Sequence, residues 1–216
     1  MRCPFPINCL CSTCKGDLVL HAHSGGNLPE PGKCAYNPKM MLDKYARDFK
    51  LWRDWASINF TASKTLFDTG DPFLMFPAAT LGHHALETYL KSALITKGLT
   101  IFNPNKLKEL DPGINLAKER CAWGHNLVKL AKQLEQRTPA FDLAKALPPI
   151  GFLTIQEPMT LERGLLEFDP FFTELRYPQQ MDKIDGIGFE HRHLLEILVK
   201  ELRHARFEWN QSQHTS

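Results

Sequence analysis

From Tyr45 the apolar residues recur as Tyr45, Phe49, Trp52, Ala56, Phe60 and Phe67, while Asp48, Lys50, Arg53 and Asp54 fall off that line. These are the three- and four-residue steps of an amphipathic helix, and they predict one over about residues 39–68. "DTGDP" follows, with Gly70 as a C-terminal stop, Asp71 as an N-cap and Pro72 as a first-turn residue, which is the punctuation of a helical hairpin. A second helix carries Leu81, Ala85, Tyr89 and Ala93 on one line and Leu86, Leu90 and Leu94 beside it, and Gly98 ends it. Pro77 would kink a helix already under way, so the regular part is expected to begin at Phe76 or Pro77.

Residues 99–119 hold two prolines and no sustained period, and predict a connection with at most one short turn of helix. Trp123, Leu127, Leu130 and Leu134 then mark a third helix. Between 139 and 160 four prolines break the chain, leaving "FDLAKAL" as the one helical piece. Helix resumes over about 161–175, with an interruption expected near Pro170, and a glycine-closed loop leads to a last helix whose stripe is Leu194, Leu198, Leu202, Ala205 and Trp209. Alternating strand patterns with hairpin turns are not found. The expectation is an all-α fold, an up-and-down bundle of about five helices over residues 39–210, with an irregular cysteine-rich extension at 1–38 and a disordered tail at 211–216.

Composition narrows the function classes more than it selects one. The 216 residues are 43% hydrophobic and 23% charged, enough for one good-sized core. Twenty-six Lys and Arg against 24 Asp and Glu leave a formal charge of +2, so any contact with nucleic acid must come from a local patch. No apolar run is long enough to span a bilayer and no signal core opens the chain, which predicts a soluble, cytoplasmic protein with no membrane partner. Five of the six cysteines fall in the first 34 residues. In a reducing compartment they read as free thiols, or Cys9, Cys11, Cys14 and Cys34 hold a zinc ion, the one cofactor considered. A third reading makes Met40 or Met41 the true start, with the preceding residues a non-native or disordered extension.

The order of the pieces carries a resemblance. A long aromatic-rich helix, a glycine turn, "AATLGHHALETYLKSALITKG", then "GHNLVKLAKQL", then "FTELRYP" and a final helix is similar to the HEPN domain family over about residues 40–210. The signature is "HHALETYLKSALI", close to the small-x-Ala-x-Glu-x-x-Leu-Lys pattern of that family's second helix. The resemblance implies a helical bundle, frequent homodimerisation, and a link to nucleotides, RNA or a nucleotidyltransferase partner. It also implies a metal-independent ribonuclease branch, in toxin–antitoxin and immunity systems, that uses Arg-x(4 to 6)-His at the dimer interface. There the histidine acts on the ribose 2′-hydroxyl and the arginine stabilises phosphate charge.

Here "RCAWGH" places Arg120 and His125 at that spacing, as the catalytic candidates. The motif straddles the start of the third helix rather than lying near the last, so His125 is also read as a structural cap or interhelix hydrogen-bonding group. His83, Glu87 and Lys91 form a polar line at one-turn spacing, either bonding across to a neighbouring helix or lining a ligand groove. His84 points about 100° away from His83, so the two are expected to act separately and not to share a metal. Arg176 and Tyr177 suit a phosphate and a base, or a salt bridge and a packed ring. Three functions remain open: a nucleotide, RNA or nucleotidyltransferase-partner binding protein, a metal-independent endoribonuclease, and a structural interaction module.

Overall fold

The structure, a computed structural model, describes residues 46–110, 112–113, 115, 121–154, 158–173 and 186–207, all within the unit Lys39–Ser216. Cys9, Cys11, Cys14, Cys34, Arg120, Arg176, Tyr177, Trp209 and the tail lie outside the described residues.

Helix α1 runs Phe49–Asp68. The expected unbroken helix from residue 39 is corrected at Asp48, whose extended backbone interrupts it. The Asp48 carboxylate accepts from the Lys50 and Leu51 amides at 2.9 and 3.2 Å, and so restarts the helix as an N-cap. Helix α2 runs Pro72–Thr96 with Asp71 as N-cap, a turn earlier than the expected start at Phe76 or Pro77. Pro77 sits inside it at little cost, because the carbonyl it leaves unserved belongs to Phe73, 88% exposed at the solvent end. Pairings between the two helices step in opposite directions. Ser92 Oγ donates to the Phe49 carbonyl, Ser57 and Tyr89 share a hydroxyl bond, and Ser63 Oγ donates to the Ala78 carbonyl. The hairpin is therefore antiparallel.

Helix α2 is the axis of the molecule. Ala78, Ala79, Ala85, Leu86, Leu90 and Leu94 are fully enclosed. Gly82 marks its tightest crossing, where a Cβ would stand 2.9 Å from the Phe168 ring, 3.2 Å from Leu195 and 3.3 Å from Ser63 Oγ. Three neighbouring helices converge on that one missing side chain.

After α2 the chain forms a short helix α3, Pro104–Leu110, and an isolated bridge between Thr100 and Cys121. Helix α4 is Leu127–Glu135. Trp123 does not share its stripe as expected, because Gly124 takes φ +114, a left-handed conformation that no helix contains. "FDLAKAL" is not helical either. Its amides and carbonyls are already taken: Leu143 N by Glu135 Oε1 at 2.8 Å, Leu147 N by the Met159 carbonyl at 2.8 Å, and the Lys145 and Leu143 carbonyls by Leu161 N and Glu162 N, both at 3.0 Å. A 3-10 turn at Gly151–Thr154 leads on to α5, Leu161–Phe168, and α6, Pro170–Thr173, which break at Pro170 as its missing N–H requires. Helix α7, Phe189–Phe207, closes the core with Leu194, Leu195, Leu198, Val199 and Leu202. The fold is all-α, with two isolated bridges and no strand among the described residues.

Candidate functional site

The middle of α2 carries an ionised group that the core would ordinarily refuse. Glu87 is 4% exposed and Lys91, one turn later, 2%. Lys91 Nζ donates to Glu87 Oε1 at 2.5 Å, and its charge lies 5.4 Å from the Trp52 ring and 5.6 Å from the Trp123 ring. Two indoles thus replace part of the water the ammonium has lost. Burial pushes the Glu87 carboxyl up, but the neighbouring His83 and His84 imidazoles and the charge and hydrogen bond of Lys91 outweigh it and hold the carboxyl far below the usual carboxylate range.

Three imidazoles surround that carboxylate. His83 is fully buried, and its Nδ1 donates to the Phe168 carbonyl at 2.9 Å, since a carbonyl can only accept. Its Nε2, with no other partner, faces Glu87 Oε2 at 3.5 Å, long for a hydrogen bond. His84 Nδ1 stands 3.8 Å from the same oxygen. The rings of the two histidines meet edge to face at 5.9 Å, and a nitrogen of each approaches Glu87 Oε2. The 100° between them is bridged because Glu87 lies three and four residues further along and reaches both.

His125 completes the group from the segment before α4. Its Nδ1 donates to Glu87 Oε1 and Oε2 at 3.1 and 3.2 Å. Asn126 and Asp169 hold it in place. Asn126 caps α4 by accepting from Lys129 N at 2.7 Å, while the Asp169 carboxylate accepts from Leu127 N at 2.7 Å and Asn126 Nδ2 at 2.5 Å. Phe172 of α6 fills the space among the imidazoles, stacked on His125 at 4.2 Å and on His83 at 5.3 Å, and edge-on to His84 at 5.1 Å.

The arrangement is layered. Glu87, Lys91 and His83 are buried, while the His84 and His125 side chains are 36% and 41% exposed and Trp123 stands half exposed beside them. With Nδ1 of His125 committed to the carboxylate, its Nε2 bears no hydrogen bond among the described residues. A neutral ring presents a lone pair there, which accepts a hydroxyl proton, and a protonated ring presents an N–H, which donates to an anionic oxygen. Among the described residues no group of His, Cys, Asp and Glu is arranged to hold a metal ion.

The structure therefore joins candidates that sequence spacing had kept apart, bringing His125 to the His83, Glu87 and Lys91 line. His84, Trp123 and Phe172 were not singled out as site residues. A sequence separation of 38 between His125 and Glu87 leaves no periodicity to read. No family model matches this chain, and comparison with curated proteins and with solved structures gives no match.

Proposed function

We propose that this protein binds a nucleotide or a single-stranded RNA-type ligand on the face bearing His84, His125 and Trp123. The observation that carries the reading is the pair of half-exposed imidazoles, positioned by a buried Glu87–Lys91 ion pair beside a half-exposed indole. Imidazole nitrogens suit phosphate and ribose oxygens, and an indole suits a base. An interaction module needs neither a buried charge pair nor partly exposed imidazoles set beside it. The HEPN-like pattern of "HHALETYLKSALI" supports the same ligand class, and with it a homodimer and a nucleotidyltransferase partner. Titrating adenosine 5′-monophosphate and a labelled hexaadenylate into the protein tests this: binding that His125→Ala weakens at least tenfold is expected. Equal binding by wild type and variant, or none by either, contradicts it.

A metal-independent endoribonuclease is the second reading, favoured by one observation. The Glu87 carboxylate holds Nδ1–H of His125, the arrangement that orients an imidazole and leaves Nε2 to take a proton from a ribose 2′-hydroxyl. RNA cleavage in EDTA that is lost in folded His125→Ala supports catalysis. Absence of cleavage by the wild type leaves the binding reading alone.

A further inference from the structure

A second aromatic feature adjoins this face. Leu51, Trp52, Trp55 and Thr88 line an apolar cavity of about 180 Å³ between α1 and α2. Two of its lining residues also touch the cluster. Thr88 donates to the His84 carbonyl at 2.5 Å, and Trp52, one wall of the cavity, is also one of the two rings that receive the Lys91 charge. Trp55 forms the outer wall and is 51% exposed, unlike the core aromatics Phe67 and Phe168, which are fully enclosed. Burying an indole stabilises a fold, so one left half in water at the lip of a cavity is available to an incoming partner.

The geometry points to this cavity as a base-stacking subsite for the nucleotide next to the one held at His84 and His125, in a single-stranded RNA. The inference rests on the nucleotide-binding reading above and extends it from a mononucleotide to a strand. Three observations select this occupant. The cavity is well below the roughly 300–1,000 Å³ of sites that enclose a drug-sized ligand, so it admits one planar ring rather than a folded segment. Its walls are two indoles with an aliphatic and a hydroxyl side chain, a surface that accepts the face of any base without reading its edge. And its Thr88 wall lies one helical turn from His84, within reach of a phosphate that links two nucleotides. The unpaired bases of a single strand have free faces to offer such rings, whereas paired bases in a duplex do not.

The test compares adenosine 5′-monophosphate with a labelled hexaadenylate by anisotropy and competition, on wild type, Trp55→Ala, Trp55→Phe and His125→Ala, with circular dichroism to confirm folding. Trp55→Ala is expected to weaken the hexamer about 5- to 100-fold, to leave the mononucleotide within twofold, and to be largely rescued by Trp55→Phe. His125→Ala weakens both ligands. If Trp55→Ala binds the hexamer like wild type while His125→Ala does not, the subsite is overturned and the nucleotide-binding reading stands. If wild type binds neither ligand, both fall. If Trp55→Ala instead turns a dimer into a monomer in size-exclusion chromatography with hexamer affinity per chain unchanged, the cavity is a protein interface and the subsite is overturned.

Discussion

Substituting Glu87 by Gln leaves the Lys91 ammonium buried between two indoles without its counter-ion. Breaking a buried pair on one side costs about 3–5 kcal/mol, whereas replacing both partners by neutral groups of similar volume is often nearly neutral. Glu87→Gln and Lys91→Met are each expected to lose stability on that scale, and the double variant to recover most of it in urea denaturation. Additive losses would show that the two charges are not coupled. Acid tests the same carboxylate. Its folded pKa is depressed, so its contribution is fully present above the ordinary value of 4.5 and is lost as the pH falls from there toward the folded value. His191 marks a separate window. Burial pushes its imidazole down, and Nδ1 accepts from Gly188 N at 3.2 Å. The unfolded chain takes up that proton first, so stability is also expected to decline as the pH falls below 6.5. In His191→Phe the decline between pH 6.5 and 5 should be shallower, while the steeper loss below 4.5 persists. An unchanged profile in the variant rules out His191 as the source.

At the scale of elements, helix α2 holds the fold together where it has the least side chain. Gly82→Val must push against the Phe168 ring and Leu195 at once. Overpacking of this kind costs about 1–3 kcal/mol. A variant as stable as wild type in a thermal melt would show that the crossing has slack. Asp169 links two helix ends, satisfying the first amide of α4 from the residue that ends α5. Asp169→Ala is expected to cost about 1–2 kcal/mol and to weaken ligand binding as well, because His125 lies at the start of the segment it anchors. Loss of stability with unaltered affinity would separate the cap from the site. The helices themselves were largely legible. Their apolar stripes mark α1, α2, α4, α5 and α7, and capping residues such as Asp71 sit where the pattern starts. What misled were local patterns overruled by distant partners. "FDLAKAL" has helical spacing, yet its backbone is bonded to Glu135, Met159, Leu161 and Glu162. Trp123 continues the α4 stripe in sequence and is separated from it by a single left-handed glycine.

Across the whole molecule, the polar line His83, Glu87, Lys91 could be read from helical spacing, but its depth could not. In a helix that buries most of its circumference, spacing alone does not tell a buried carboxylate from a surface one. Nor does any spacing announce that His125, from another segment, closes on Glu87, or that Phe172 stacks among the three imidazoles. Among the described residues no helix is long and apolar enough to cross a membrane. Two of those imidazoles, His84 and His125, have partly exposed side chains and carry the binding face. Long-range proton–nitrogen NMR of ¹⁵N-labelled protein resolves imidazole nitrogens, and single His→Ala variants assign them. On adding hexaadenylate, Nε2 of His84 and His125 should shift in a saturable way while His191, buried in the core, stays in place. Saturable binding that leaves both Nε2 signals unmoved, or no binding at all, would contradict it.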